Sequence, residues 1–174
     1  MSTLRTLELT KSYGGRTVVR GVSLERSQAK VTIDDVPDRP GVSAAIFGAI
    51  AQANIMIDMI VQNVSFDGIT DISFTLSTAD LPKAEAALKN VVSSLGEGVE
   101  LRTQSGIAKL SVVGIGMRSH SGVASKMFKA LADASANILM ISTSEIKVAV
   151  IVEESEIEKA AQAVHTAFGL DATA

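Results

Sequence analysis

The sequence predicts an α+β protein made of two ferredoxin-like βαββαβ modules in tandem, the second completed by a strand from the N-terminal end. Three observations carry that expectation. From Lys30 onward, β-branched alternation and helical periodicity succeed one another in the order βαββαβ. The pattern then returns: Gly41/Gly122, Val42/Val123, Phe47/Phe128, Ala49/Ala130, Ala53/Ala134, Ile57/Ile138, Met59/Met140 and Ile60/Ile141 all differ by 81 positions. Finally, the second copy runs out before its last strand, while a strand-like segment over residues 17–25 stands unclaimed near the start. That early strand is expected to cross over and complete the second sheet, leaving the first module inserted into the second.

Residues 1–16 are polar and approach Tyr13-Gly14-Gly15, so they read as a flexible tail with at most one short strand over residues 4–9. Residues 17–25 and 30–36 alternate as strands. Asp38-Arg39-Pro40-Gly41 is a tight turn, and Pro40 disfavours helix in the residue before it. The following helix carries Val42, Ile46, Ala49, Ile50 and Ala53 at helical spacing. Residues 57–64 form a strand, residues 66–68 a turn, and residues 71–77 a half-buried strand with Ile72, Phe74 and Leu76 on one side. Asp80 is placed to cap a helix bearing Leu81, Ala84, Leu88, Val91 and Leu95, which Gly96 and Gly98 end. A strand over residues 99–103 closes this unit.

The second unit repeats a strand at residues 109–113, a Gly- and Ser-rich turn at 114–122, and a helix with Val123, Met127, Leu131 and Ala134. Strands follow at residues 137–142 and 146–152. Ser155 and Glu158 have capping-box spacing before a helix with Ile157, Ala160, Ala161, Val164 and Phe168. The expected organisation is a tail over 1–16, a first module over 30–104, and a second module from 17–29 plus 105–170.

Composition narrows the function. The 174 residues are 47% hydrophobic and 20% charged, which supports a packed core. A net charge of −3 and 3% aromatic residues argue against a nucleic-acid or membrane-surface partner. The chain has no cysteine, so thiolate chemistry and disulfides are excluded. A cytoplasmic location is the default for such a sequence. No phosphate-loop pattern G-x-x-x-x-G-K-[ST] occurs, although LELTKSYGGRTVVRGVSLE resembles the opening strands of transporter-type ATPases.

The turn at Asp38–Gly41 offers chemistry. A helix entered through glycine leaves its first N–H groups open, and with the helix dipole they attract a carboxylate. Gly41 admits a ligand to the backbone, and Asp38 offers a charge to an ammonium. Together they describe a site for a free amino acid; the same residues also meet the plain needs of a turn that starts a helix. The second copy, Met117-Arg118-Ser119-His120-Ser121-Gly122, keeps the glycine but has no acid, so two sites would be unequal. His120 and His165 have no carboxylate cluster beside them in sequence, and no metal or cofactor is expected. His165 reads as a surface group. Asp34-Asp35 is not expected to act as an acid–base pair, since adjacent strand residues face opposite sides. Met56, Met59 and Met140 read as core or interface filler.

The segments VPDRPGVSAAIFGAIAQANIMIDMIVQNVS and SHSGVASKMFKALADASANILMISTSEIKVAVIV resemble the paired ACT modules of the aspartate kinase regulatory region, over roughly residues 18–168. The kinase domain of that family is absent, so the chain resembles its separately made β subunit. The resemblance implies a non-catalytic subunit that binds L-threonine and/or L-lysine and conveys feedback inhibition to a catalytic α subunit. It also implies a homodimer in which ACT modules of two chains pair side by side around the effector. Carried over by position, the effector contacts are Asp38, Gly41, Val42, Ser43 and Gln62 of the first module, with Asn137 and Ile138 of the second. Ser65 and Ser73 match positions nearby where changes are expected to relieve inhibition, and His120 belongs to the same neighbourhood. The alternatives are an ACT-type sensor for another biosynthetic enzyme, or a small ferredoxin-like enzyme; the latter needs a nucleophile or acid–base cluster that the sequence does not show.

Overall fold

The computed structural model describes residues 5–13, 16–63, 67–114 and 122–170. Two compact units emerge. The first module is Ser27–Ser105, and the second is Met1–Arg26 together with Gly106–Ala174. Two long strands, β2 (Arg16–Pro37) and β5 (Glu100–Val113), each give one end to each module. Both carry a positive φ beside the division, at Ser27 (56°) and Gly106 (73°).

In the first module the strand order is β3 (Ile57–Gln62), β4 (Ile69–Ser77), β2 and β5. Helices α1 (Val42–Gln52) and α2 (Leu81–Leu95) lie side by side. Alternation aims Val31 and Ile33 of β2, with Ile72, Phe74 and Leu76 of β4, at Ile46, Ile50, Ala84 and Leu88 of the helices, and all are buried. Phe47 meets Phe74 edge-to-face at 5.5 Å between ring centres.

In the second module the order is β2, β5, β7 (Lys147–Glu153) and β6 (Met140–Thr143), so the N-terminal part of β2 does complete this sheet. Rungs Ala108↔Val152, Leu110↔Val150 and Val112↔Val148 face a core closed by α3 (Val123–Asp133) and α4 (Ile157–Ala167). Lys126 Nζ stands 5.3 Å from the centre of the Phe168 ring. On the other face of β5, Lys109 is almost fully buried and pairs with Glu25 at 2.8 Å.

The structure corrects several expectations. The one short strand allowed over residues 4–9 is β1 (Arg5–Tyr13), longer than expected and paired antiparallel with β2. The segments read as separate strands at 17–25 and 30–36 are one strand of 22 residues, and those at 99–103 and 109–113 are one of 14. Asp80 makes no side-chain cap; Ser77 Oγ instead accepts the Ala79 N–H at 3.4 Å in a 3-10 turn ahead of α2. The Ser155–Glu158 capping box does not form, because a 3-10 turn over Glu154–Glu156 precedes α4 and Glu158 pairs with Arg26. His165 is half-buried on α4 rather than exposed. Met59 and Met140 are buried, whereas Met56 stands 86% exposed.

Candidate functional site

The 81-residue repeat extends to individual hydrogen bonds and torsions. Gly41 and Gly122 occupy the N-caps of α1 and α3 with φ of 97° and 100°, and neither helix start has a side-chain cap. Gly41 C=O accepts the Ala45 N–H at 3.0 Å, and Gly122 C=O accepts the Lys126 N–H at 2.8 Å. The far ends match as well: Ala53→Ala49, Asn54→Ala51 and Ile55→Ile50 correspond to Ala134→Ala130, Ser135→Ala132 and Ala136→Leu131. An ideal Cβ at Gly41 would meet nothing within 4 Å. Backbone conformation, not crowding, therefore asks for glycine there.

Around the first helix start, Asp38 is exposed, its N–H bonded to Gly68 C=O at 2.8 Å and its carboxylate without a partner among the described residues. Gly41 is exposed and Val42 is buried in the module core. Ser43 Oγ donates to Gln62 Oε1 at 3.3 Å, tying the first turn of α1 to the end of β3. The structure thus brings together Gly41, Val42, Ser43 and Gln62, with Asp38 at the entry to the same turn. Ser73 Oγ lies 2.9 Å from Thr32 Oγ1, on neighbouring strands. Asn137 and Ile138 belong to the second module, just ahead of β6. Ser65 and His120 lie outside the described residues.

Sequence reasoning missed Glu156. Its carboxylate accepts the Asn137 N–H at 3.2 Å and the Lys159 ammonium at 3.1 Å. The hydrogen bond from Lys159, then that from Asn137, holds its pKa below the ordinary carboxylate value. Glu156 therefore fixes the backbone at Asn137. It was hidden among neighbouring acids that suit a helix start equally well.

Sequence reasoning also missed an open polar cavity of about 430 Å³ on the first module, lined by Lys30, Thr32, Asp34, Asp71, Ser73 and Arg102 among others. Asp34 pairs with Arg102 Nε at 2.9 Å, yet burial pushes its carboxyl above the ordinary value against the pull of Arg102. The register of β2 on β4 shifts between Ile33 and Val36, and Asp35 has φ 57°. Asp35 N–H donates to Asp71 Oδ1 at 3.1 Å across this bulge. The alternating polar residues Lys30, Thr32 and Asp34 were the available signal. Among the described residues no three His, Asp or Glu side chains gather as metal ligands, and no helix is long and apolar enough to cross a membrane.

Residues 30–93 match a family model described as ACT domain, and residues 110–168 match a second ACT-domain model. An aspartate kinase of Pseudomonas fluorescens is 53% identical over 157 residues, which is 90% of this chain and 38% of that protein. The chain spans about two-fifths of the length of the curated relatives it matches. The ligand-free regulatory subunit of aspartate kinase from Thermus thermophilus superposes with a TM-score of 0.81 at 38% identity, over 87% of this chain and 99% of that one. A chain in a crystal structure of aspartokinase alpha and beta subunits gives 0.79 at 44% identity, with coverage of 87% and 99%. With twin modules whose helix ends repeat the same torsions and hydrogen bonds, and with agreement to these structures over 87% of its length, the chain belongs to the tandem ACT-domain family of aspartate kinase regulatory regions.

Proposed function

We propose that this chain is the regulatory part of an aspartate kinase, binding L-threonine and/or L-lysine and passing feedback inhibition to a catalytic subunit in lysine, threonine and methionine biosynthesis. It performs no turnover itself and works in the cytoplasm. The observation that carries this reading is the pair of helix starts at Gly41 and Gly122, each left-handed and without a side-chain cap. Such a helix start presents N–H groups and a partial positive charge to a carboxylate.

In the first module, Gly41, Val42 and Ser43 hold the effector carboxylate, and Asp38 accepts its ammonium. Gln62, already hydrogen-bonded to Ser43, reads the effector side chain, with Asn137 and Ile138 supplied by the second module of another copy. By resemblance, Ser65, Ser73 and His120 are carried over as the neighbourhood where substitutions relieve inhibition. The turn before Gly122 has no acid, so the second site is the weaker one. Pairing of two copies is supported by the edge strands: β3 and β6 end their sheets, and each exposes an isoleucine at the equivalent position, Ile60 (48%) and Ile141 (44%). Closing the site between copies links effector binding to dimer geometry, which is the coupling a regulatory subunit needs. Similarity to a chain of the aspartokinase alpha and beta subunits supports a separate catalytic partner.

Calorimetric titration of the purified chain with L-threonine and with L-lysine tests the reading. Saturable binding of one or both, abolished or weakened in Asp38→Ala, is expected. Absence of binding for both, or kinase turnover by the chain alone, overturns it.

A further inference from the structure

The open face of the first module, away from α1 and α2, carries charge in an ordered way. Val31 and Ile33 of β2, with Ile72 and Phe74 of β4, point into the core, so Lys30, Thr32 and Asp34, with Asp71 and Ser73, occupy the opposite face. Lys30 lies on the rung facing Thr75, and Thr32 on the rung facing Ser73. Asp34 and Asp71 come beyond them on the same two strands. The trough therefore runs from an ammonium, through two hydroxyls 2.9 Å apart, to two carboxylates. Its ends are four residues apart along the strand, ~13 Å of backbone, and the long Lys30 side chain covers part of that span.

The two ends are not spent on each other. Among the described residues the Lys30 ammonium has no hydrogen bond or ion pair, and no cation pairs with the Asp71 carboxylate. Arg102 is committed to Asp34 and Glu100 at 2.9 and 3.1 Å.

The repeat shows that this chemistry is not a requirement of the fold. Lys30, Thr32 and Asp34 correspond to Lys109, Ser111 and Val113 of the second module at an offset of 79. On the partner strand, Ala149 faces Ser111 and Lys147 faces Val113, where the first module has Ser73 and Asp71. The second module keeps the apolar framework and has neither acid.

We propose that this trough is a second ligand site in the first module, distinct from the helix start at Gly41, and that it takes an ω-amino carboxylate: a molecule with a carboxylate at one end and an ammonium at the other, held by Lys30 and by Asp71 with Asp34. Thr32 and Ser73 line the middle. A basic amino acid satisfies this pattern through its side-chain ammonium, and its α-ammonium is not needed. The inference stands independently of effector binding at Asp38 and Ser43. Asn63 lines the trough and follows Gln62, so the two sites meet at the end of β3.

Titration calorimetry of the full chain with 6-aminohexanoate, which has no α-ammonium for Asp38, separates the two sites. Saturable binding is expected, weakened ~10-fold or more in Lys30→Gln and in Asp71→Asn, as for loss of a charged hydrogen-bond partner. Ser43→Ala and Asp38→Ala should leave it within ~2-fold, and both should weaken binding at the helix start. Hexanoate and hexylamine, each lacking one charge, should bind at least ~10-fold more weakly. Circular dichroism of the Lys30 and Asp71 variants checks that both remain folded. No binding of 6-aminohexanoate, binding indifferent to both trough substitutions, or equal binding of hexanoate overturns the proposal. Each of these leaves the reading of the Gly41 site to its own threonine and lysine titrations.

Discussion

Ser43 Oγ donates a hydrogen bond to Gln62 Oε1 at 3.3 Å, so the first turn of α1 and the last residue of β3 are joined by the two side chains that flank the proposed effector pocket. Both are accessible, and the bond can be exchanged for one to a ligand. Replacing Gln62 with Ala should leave fold stability within ~0.5 kcal/mol, as for an exposed contact. Affinity for the effector should fall by ~1 kcal/mol, the usual net worth of one hydrogen bond. Calorimetry and urea melts of the same variant measure the two effects separately.

Asp38 has no side-chain partner among the described residues, so its removal should affect ligand rather than fold. Asp38→Ala is expected to weaken threonine or lysine binding by ~1–3 kcal/mol, the range for a charged partner lost to a ligand ammonium. Unchanged affinity would take Asp38 out of the site.

Gly41→Ala places a Cβ at φ 97° with open space around it. The expected outcome is a loss of ~1–2 kcal/mol of stability from the left-handed backbone alone. Gly122→Ala should match it, since the second helix start has φ 100°. Equilibrium urea denaturation of the two variants is the check, and a large disparity would separate the two turns that the repeat makes equivalent.

Lys109 is held in the second module by Glu25 at 2.8 Å, with side-chain exposures of 5% and 33%. Glu25→Gln should destabilise by ~1–3 kcal/mol, because the buried ammonium loses a charged acceptor while solvent screens part of the pair. Replacing both residues with apolar ones should recover much of the loss. Chemical denaturation of the single and double variants tests this.

Stability should depend on acid through Glu156. Its folded-state pKa lies below the ordinary 4.5, so the unfolded chain binds the proton more readily. The contribution is fully present above 4.5 and fades as pH falls through the lower folded value. Asp34 works in the opposite sense: burial raises its pKa, so its charged form detracts from stability at neutral pH and protonation relieves this. A Glu156→Gln variant should therefore be less stable than the parent at pH 7 and converge on it in acid. Thermal melts across the acid range read the gap.

The repeat and its helices were legible because their signals are local. Ile46 and Ile50, or Met127 and Leu131, follow helical spacing within a few residues, and α1 and α3 begin where Val42 and Val123 predicted. The Gly41 turn was legible for the same reason. The caps were not: Ser77 and a 3-10 turn replaced Asp80, and Arg26 drew Glu158 away from Ser155, through a partner 132 residues distant. The Lys30-to-Asp71 trough was invisible too, since its residues converge only once β2 and β4 are in register.

By itself the sequence determined the duplicated βαββαβ order, the glycine-led helix starts and the need for the early strand to complete the second module, all written in short-range periodicity and a constant offset. Only the tertiary structure decided that β1 pairs with β2, that β2 and β5 run unbroken through both modules, and which polar side chains meet. The physical reason is that a strand's limits and neighbours are settled by hydrogen bonds to other strands, far away in the chain, whereas a helix satisfies its backbone from within.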